Sequence, residues 1–367
     1  MAKEEAAGIP ARRCLAICLI LTAVFAVLPL TLREIASNPG QGLRPTGYTL
    51  AVMQALKPVK PAEHKPVPAS VDAATLQEIF RARDYAIDTV RSGEKAVPRL
   101  VVAGLPDDMK RLDSTDERKR LFVKTMLPLV LLVNESIERD RDRLRKLKDV
   151  VEAGHALAPM DRIWVARTAA RYKLDNPGRA EIGDLLKRVD VVPVSLALAQ
   201  AAEESGWGTS RFAQDGNALF GQLTWTAGQQ GIVPRNRRDG ETHRFRSFDD
   251  LLESVRVYVH NLNTHDAYRG FRLSRASLRA KGKPLDSLRL VGALEKYSER
   301  GTAYVEQLRT LIRVNKLQDF DGVSLVGEED GGGIALAVAR DEPPAEAEVP
   351  APAPAVPAAA GVSPRDR

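Results

Sequence analysis

A stretch of nineteen uncharged residues near the amino terminus divides the chain more sharply than any other feature. Residues 14–32 read CLAICLILTAVFAVLPLTL, and Arg12 and Arg13 stand directly before them. A helix of this length would be roughly 28 Å long, close to the ~30 Å hydrocarbon core of a bilayer. Positive charge on the amino-terminal side predicts that residues 1–13 stay in the cytoplasm and that the rest of the chain is exported.

A cleaved signal peptide is the competing interpretation of this segment. Its apolar core would be shorter, and a small-residue cleavage site would follow it, whereas Arg33 and Glu34 follow here. We therefore expect an uncleaved, single-pass anchor in the inner membrane with the rest of the chain in the periplasm. A cleaved signal would export the same body.

The composition of the 367 residues excludes several kinds of site. Cys14 and Cys18 are the only cysteines, and the five histidines are scattered. The body therefore has no cysteine with which to form a disulfide or a thiolate metal site. We predict neither a metal nor another cofactor. The net charge of +6 is mild and is not arranged as a basic stripe interleaved with aromatic residues. Nucleic acid is therefore not an expected partner.

Changes in composition predict the organisation of the rest of the chain. Residues 33–70 are rich in proline and glycine, which indicates an extended linker. Residues 71–180 show helical periodicity, and the apolar run around Pro128 is short enough to be a buried helix rather than a second membrane span. A further block with helices and a turn-rich centre covers residues 181–318. Residues 319–367 end in an Ala/Pro/Glu stretch with few bulky apolar side chains, which predicts a disordered tail.

The strongest local pattern begins at Pro193 and reads VSLALAQAAEESGWG. Proline suits the first turn of a helix, and apolar residues such as Ala197 repeat at helical spacing to form a core-facing stripe. Glu203 is predicted to point away from that stripe, whereas Glu204 borders it. The glycines on either side of Trp207 are expected to end the helix beside Glu204.

A carboxyl group at the rim of an apolar face loses water around its charged form, so its pKa should rise. A raised pKa is what a general acid needs to keep its proton near neutral pH. The alternative is that Glu203 and Glu204 are two ordinary charges in the last turn of a surface helix. The pattern alone leaves both interpretations open.

A longer run of residues resolves that ambiguity through resemblance. The sequence LALAQAAEESGWGTSRFAQDGNALFG, followed by SFDDLLESVRVYVHNLNTHDAYRGFRLSRASLR and ALEKYSERGTAYVEQL, resembles glycoside hydrolase family 73, the glucosaminidases, and within it the Bax-like proteins of bacteria. The resemblance covers about residues 181–318. Residues 71–151 are also similar to the amino-terminal region of Bax-like proteins.

The resemblance implies a mainly α, lysozyme-like α+β fold with a helical lobe and a small β-hairpin lobe across the substrate groove. It implies an endo-β-N-acetylglucosaminidase whose partner is the glycan strand of peptidoglycan. Glu204 matches the family's general acid. Asn217 and Phe220 match a motif expected to shape the groove floor, and Tyr297 matches a tyrosine expected to contact the reacting sugar. Tyr304 matches a second aromatic position expected to serve packing.

Three further residues are candidates for the site. Glu241 is the only glutamate of the hairpin segment and corresponds to the second carboxylate that the family often places there, although an exposed turn residue explains it equally well. Trp225 is a candidate platform for a sugar face, against packing within the small lobe. Trp207 is a further candidate substrate contact.

The chemistry after protonation stays open at this point. Glu241 could activate water or stabilise charge, or the substrate's own 2-acetamido group could attack. A third route is a lytic transglycosylase, in which the muramyl 6-hydroxyl attacks and forms anhydromuramyl ends. A different class altogether is a membrane-anchored protein that binds the cell wall on a degenerate hydrolase fold.

Overall fold

The structure is a computed structural model that describes residues 67–68, 71–174, 181–226, 228–235, 237, 240–327 and 334–337. The predicted anchor at residues 14–32 and nearly all of the predicted linker lie outside these residues, as does most of the predicted tail. In the described part of the chain, no helix is both long and apolar enough to cross a membrane.

The described residues are mainly helical, as predicted. In chain order the α-helices are α1 (Ala73–Ala82), α2 (Ile87–Arg91), α3 (Thr115–Glu152), α4 (Pro159–Arg171), α5 (Ile182–Arg188), α6 (Val194–Ser205), α7 (Arg211–Gly216), α8 (Leu251–Thr264), α9 (Arg269–Ala280), α10 (Ser287–Leu290) and α11 (Thr302–Val314). Short 3₁₀ segments connect them at Asp107–Arg111, Asp266–Tyr268, Val291–Ala293, Glu295–Tyr297 and Leu317–Phe320.

Helix α3 organises the body because it is 38 residues long and contacts α5, α6 and α8. Ser114 caps its start by accepting a hydrogen bond from the backbone N–H of Glu117 at 3.2 Å, which satisfies one free donor of the first turn. Pro128 lies inside the helix, and the apolar run around it is buried. The prediction of a buried helix for this run is confirmed.

The strands form two three-stranded sheets. A parallel sheet has the order β1 (Val67–Pro68), β6 (Ile334–Ala337), β2 (Leu100–Val102), and an antiparallel sheet has the order β3 (Leu223–Thr224), β5 (Arg244–Arg246), β4 (Gly231–Ile232). The antiparallel sheet contains the predicted pairing of consecutive strands, between β4 and β5, and β3 adds a third strand that was not predicted. The parallel sheet was not predicted, since β1 falls in the expected linker and β6 in the expected tail.

The packed body continues beyond the predicted domain end at residue 318. Phe320 is fully buried, and the backbone N–H of Val97 donates to the carbonyl of Ser324 at 2.8 Å. The side chain of Asp321 accepts two hydrogen bonds from Ser195 in the first turn of α6, from the backbone N–H at 2.8 Å and from the hydroxyl at 2.7 Å. A disordered tail starting at residue 319 is therefore wrong for residues 319–327.

A buried ionic cluster joins the amino-terminal helices to the rest of the body. The carboxylate of Asp190, almost fully buried, lies 3.5 Å from Arg141 of α3, 3.6 Å from Arg275 of α9 and 2.8 Å from Arg279 of α9. Because α3 and α9 meet on one buried carboxylate, residues 71–174 and 181–318 share a single core rather than forming separate units.

Candidate active site

Helix α6 is surrounded by protein over most of its length. Every residue from Val194 to Ala202 is buried, and the helix contacts α3, α10, α11 and the Leu317–Phe320 segment. The prediction of a single core-facing stripe is therefore wrong, since Ser195 and Gln200 are as buried as the apolar residues. Pro193 is the N-cap residue rather than the first helical residue.

The helix ends as predicted beside Glu204, at Ser205. Gly206 adopts the left-handed conformation with φ 57°, and Gly208 has φ 79°. Trp207 between them lies against Phe122 of α3 in an edge-to-face contact with ring centroids 5.8 Å apart, and the ammonium of Lys119 sits 5.2 Å from its ring centroid. The structure thus places Trp207 at the junction with α3, and substrate contact by this residue stays a prediction.

The carboxyl group of Glu204 is held between an aromatic residue and a glycine. The hydroxyl of Tyr304 donates to Oε1 of Glu204 at 2.8 Å. On the other side, a Cβ atom placed on Gly221 would lie 2.8 Å from Oε2, so only glycine leaves that oxygen room. The two oxygens of one carboxyl group therefore have different surroundings.

The pKa of Glu204 is raised above its usual value, as the sequence predicted. Burial of the carboxyl group is the main cause, and the negative charge of Glu203 adds to it. The hydrogen bond from Tyr304 and the positive charge of Arg300 act in the opposite direction and are smaller in sum. The group is thus biased towards the protonated form that a general acid requires.

The neighbouring Glu203 has a different environment. Its carboxylate accepts a hydrogen bond from the guanidinium of Arg300 at 2.7 Å and a longer one from the amide of Gln307 at 3.4 Å. It is therefore part of an ion pair at the rim, whereas Glu204 has a neutral hydroxyl as its hydrogen-bond partner. Two adjacent glutamates are separated into an ion-paired carboxylate and a shielded acid.

Tyr297 and Tyr304 stack in parallel beside Glu204. Their ring planes are 1° apart and their centroids are separated by 5.7 Å. The hydroxyl of Tyr297 donates to the backbone carbonyl of Phe220 at 2.9 Å, which fixes the loop that carries Gly221 against the acid. Tyr297 is partly exposed and borders the site, and its predicted contact with the sugar stays a prediction.

Asn217 and Phe220 lie beneath the site rather than on its surface. Phe220 is 2% exposed, and its ring stacks on Tyr258 at a centroid distance of 3.9 Å. Asn217, 5% exposed, has φ 53° and donates through its side-chain amide to the carbonyl of Phe248 at 3.1 Å. Both positions suit the predicted task of shaping the groove floor from within.

The two candidates in the antiparallel sheet lie at the surface. Trp225 follows β3 and is 66% exposed, so its ring is accessible to a ligand. Glu241 lies in the loop that leads into β5, is exposed, and has one carboxylate oxygen 3.7 Å from Nδ1 of His243. The roles of both as sugar platform and second carboxylate stay predictions.

The most direct hydrogen-bond partner of Glu204 was not predicted from the sequence. Tyr304 was expected to serve packing only; it is fully buried, but its hydroxyl also bonds to Glu204. Gln200 was missed as well, although a polar residue one turn before the acid in an alanine-rich helix is a detectable signal. Within the described residues, no group of three or more potential metal ligands occurs.

Comparison with known proteins identifies the family of this chain. Residues 180–317 match the family model described as mannosyl-glycoprotein endo-beta-N-acetylglucosaminidase. Protein bax of Escherichia coli strain K12 is 33% identical over 217 residues, which cover 58% of this chain and 75% of that protein. The chain belongs to the Bax-like glucosaminidases. The predicted family and the predicted assignment as a glycoside hydrolase are thereby confirmed.

A solved structure also resembles this glucosaminidase. The catalytic domain of the autolysin Auto from Listeria monocytogenes aligns with 48% of the chain and 97% of its own length, at 18% identity and a TM-score of 0.28.

Proposed function

We propose that this Bax-like glucosaminidase is a peptidoglycan hydrolase that cleaves the glycan strand as an endo-β-N-acetylglucosaminidase, with Glu204 as its general acid. The observation that carries the proposal is the carboxyl group of Glu204, shielded from water, raised in pKa and held by one neutral hydroxyl. Family membership supports the substrate class.

The geometry supports a specific position for the transferred proton. Cleavage of a β-1,4 bond passes through an oxocarbenium-like transition state and needs a proton on the leaving oxygen. Oε1 of Glu204 accepts the hydrogen bond from Tyr304. Oε2, on the side of Gly221, is therefore the oxygen that holds the proton for the substrate. The missing side chain at position 221 keeps that oxygen clear.

The group that completes the reaction distinguishes three mechanisms. Glu241 could act as a second carboxylate, the 2-acetamido group of the substrate could attack, or the muramyl 6-hydroxyl could attack in a lytic transglycosylase reaction. The family supports hydrolysis after N-acetylglucosamine. Mass spectrometry of digested peptidoglycan would then show reducing N-acetylglucosamine ends, whereas anhydromuramyl ends would contradict hydrolysis.

The Glu204→Gln variant tests the acid itself. Glutamine keeps the shape but carries no transferable proton, so the rate of peptidoglycan digestion should fall by at least ~100-fold. Glu203→Gln is the matched control at the adjacent position and should retain most of the activity at acidic pH. A Glu204→Gln variant that digests peptidoglycan at the parent rate, or a protein that produces no new chain ends, would refute the assignment.

We further propose that the sheet β3-β5-β4 and the helical lobe flank the substrate groove in a lysozyme-like arrangement, with Tyr297 and Trp225 as sugar contacts. The partial exposure of Tyr297 and the large exposure of Trp225 support this. A crystal structure with a bound N-acetylglucosamine oligomer should show sugar rings between these side chains. Sugar bound elsewhere on the surface would exclude the arrangement.

We also propose that residues 14–32 anchor the enzyme in the inner membrane with the body in the periplasm. The uncharged length of the segment and the arginines before it support this. The full chain should stay in the membrane fraction after washing with carbonate, and the body should be cleaved by protease added to spheroplasts. Release of a shortened soluble protein would favour a cleaved signal peptide instead.

A further inference from the structure

A chain of buried hydrogen bonds leads from the core to Glu204. The hydroxyl of Tyr258 donates to Oε1 of Gln200 at 2.8 Å, Nε2 of Gln200 donates to the hydroxyl of Tyr304 at 3.0 Å, and that hydroxyl donates to Glu204 at 2.8 Å. Tyr258, Gln200 and Tyr304 are all fully buried. We call these three residues the relay: Tyr258 lies on α8, Gln200 on α6 and Tyr304 on α11.

The orientation of the Gln200 amide decides where the proton of Tyr304 points. A phenol has one proton, and within the described residues the two hydrogen-bond neighbours of the Tyr304 hydroxyl are Gln200 and Glu204. An amide nitrogen can only donate. With Nε2 facing Tyr304, the phenol oxygen must accept that bond, so its own proton is directed to Glu204. With the amide turned by 180°, the carbonyl oxygen would draw the proton away.

Tyr258 selects the first of these two orientations. Its hydroxyl donates to the amide oxygen of Gln200, and Gln200 is its hydrogen-bond partner within the described residues. If the amide turned, Tyr258 would accept from Nε2 and its own proton would be buried without an acceptor. A buried donor left without a partner costs about 1–3 kcal/mol. Tyr258 is also held in place by its stacking on Phe220.

We propose that Gln200 and Tyr258 are positioning residues of this glucosaminidase, which direct the hydroxyl proton of Tyr304 to Oε1 of Glu204 and so reserve Oε2 for the substrate. Neither residue touches the reacting atoms, and both act through Tyr304. The inference rests on the proposed role of Glu204. It adds a device, built into the core, that stabilises the carboxylate left behind once the proton has been transferred.

The relay acts against other influences on the same carboxyl group. Burial and Glu203 raise the pKa of Glu204, and the Tyr304 hydrogen bond and Arg300 lower it. The titratable and charged groups that interact with Glu204 are Glu203 on α6, Arg300 just before α11, Tyr304 on α11, Tyr258 on α8, Tyr268 on the segment Asp266–Tyr268, and Tyr297 on the segment Glu295–Tyr297. Turning the relay away from Glu204 should therefore raise its pKa further.

The direct test is a titration of Glu204 by NMR in the full-length protein with ¹³C-labelled glutamate carboxyl groups. The Glu204→Gln variant identifies the signal. Tyr304→Phe removes a hydrogen bond to a charged group and should move the titration midpoint upward on the order of 1 pH unit. Tyr258→Phe frees the Gln200 amide to turn and should move it in the same direction by roughly half as much.

A double variant separates this mechanism from general disturbance of the core. Gln200→Met removes the amide that competes for the Tyr304 proton, so adding it to Tyr258→Phe should return the midpoint to the parent value. Tyr85→Phe is the matched control, because the hydroxyl of Tyr85 is also buried but has no hydrogen-bond partner in the described part of the chain. It should leave the midpoint unchanged.

Two results would overturn the inference. One is an unchanged midpoint in Tyr258→Phe, and the other is a double variant that keeps the raised midpoint. If Tyr258→Phe does not fold, the parent protein still provides a test, since the side-chain amide signals of Gln200 must titrate with the same midpoint as Glu204. Amide signals that stay constant through that midpoint would refute the relay.

A kinetic measurement tests whether the relay also affects the reaction, and the NMR titration does not depend on its outcome. The alkaline limb of kcat/KM on peptidoglycan should move upward in Tyr258→Phe by the same amount as the NMR midpoint, with KM unchanged. If Glu204→Gln proves fully active, the proposed function fails while the titration results stand. If Glu204→Gln is inactive but Tyr258→Phe leaves both readouts unchanged, only the relay fails.

Discussion

At the scale of single residues, the environment of Glu204 separates it from Glu203 one position earlier. Both glutamates are in the last turn of α6, yet one is ion-paired with Arg300 and the other bonds to a neutral tyrosine. Burial opposes ionisation of Glu204, and the hydrogen bond from the phenol of Tyr304 offsets this only in part. The two carboxyl groups differ because Arg300, just before α11, faces Glu203, whereas Tyr304 on α11 faces Glu204.

The raised pKa of Glu204 predicts the direction of the pH dependence. A general acid works while protonated, so the rate should fall as pH rises through the pKa of Glu204. Because burial raises that pKa above the usual 4.5, the alkaline limb of the pH–rate profile should lie above pH 4.5.

The Glu203→Gln variant tests the direction in which the charge of Glu203 shifts the pKa of Glu204. It removes a negative charge that raises the pKa of Glu204, so the alkaline limb should move to lower pH. A pH–rate profile on purified peptidoglycan measures both effects. A limb that moves upward in Glu203→Gln would contradict the assignment of the limb to Glu204.

Gly221 is predicted to be irreplaceable for two reasons. Its φ of 61° disfavours any residue with a Cβ atom, and that atom would lie 2.8 Å from Oε2 of Glu204. Gly221→Ala should therefore lower stability by about 1–2 kcal/mol and also lower kcat, because the carboxyl group must move. Gly93→Ala has a similar backbone conformation, φ 79°, without a neighbour within 4 Å. It should show a stability loss in thermal unfolding without a loss of kcat.

At the scale of elements, α6 depends on a residue outside the family-matched region. Asp321 accepts hydrogen bonds from the backbone and the hydroxyl of Ser195, in the first turn of the helix that ends at the acid. Pro193 at the N-cap cannot supply a side-chain hydrogen bond of this kind. The start of the helix is thus capped by a residue 126 positions later in the chain.

A pair of truncations tests this dependence. A chain ending after Gln318 loses buried Phe320 and the cap from Asp321. Its free energy of unfolding should fall by at least the ~1 kcal/mol expected for a cap alone, and its melting temperature should fall with it. A chain ending after Ala337 keeps both residues and the strand β6, and should match the full-length protein. Equal melting temperatures for the two truncated chains would show that the cap contributes nothing.

At the scale of the whole molecule, Asp190 joins two parts of the chain that were predicted as separate regions, residues 71–180 and 181–318. Arg141 comes from α3 and the other two arginines from α9. Burial lowers the pKa of Arg275 to about 10, so the guanidinium stays charged at physiological pH and needs its carboxylate. The amino-terminal helices are therefore part of the catalytic body.

Asp190→Asn should be strongly destabilising because it leaves buried guanidinium groups without a countercharge. Breaking a buried ion pair from one side costs about 3–5 kcal/mol, measured as the free energy of unfolding in urea. Asp184→Asn is the control, since its ion pair with Lys187 is exposed and such pairs contribute about 0–1 kcal/mol. Similar values for the two variants would contradict a central role for Asp190.

Much of the site could be predicted from local patterns. The glycines after Glu204 end α6 as expected, and the position of Glu204 at the edge of the apolar residues correctly predicts a raised pKa. The apolar run around Pro128 is a buried helix. These features depend on residues within a few positions of one another, where helical periodicity and turn preferences apply.

The sequence alone thus predicted Glu204 as the candidate acid, the helix that carries it, and the family. Only the tertiary structure decided what holds the carboxyl group of Glu204 in place. Tyr304 is 100 positions from Glu204, Asp321 is 126 positions from Ser195, and Gly221 faces Oε2 through a loop fixed by Tyr297. Periodicity describes one element at a time, whereas the direction of a hydrogen bond between helices depends on how the whole core packs.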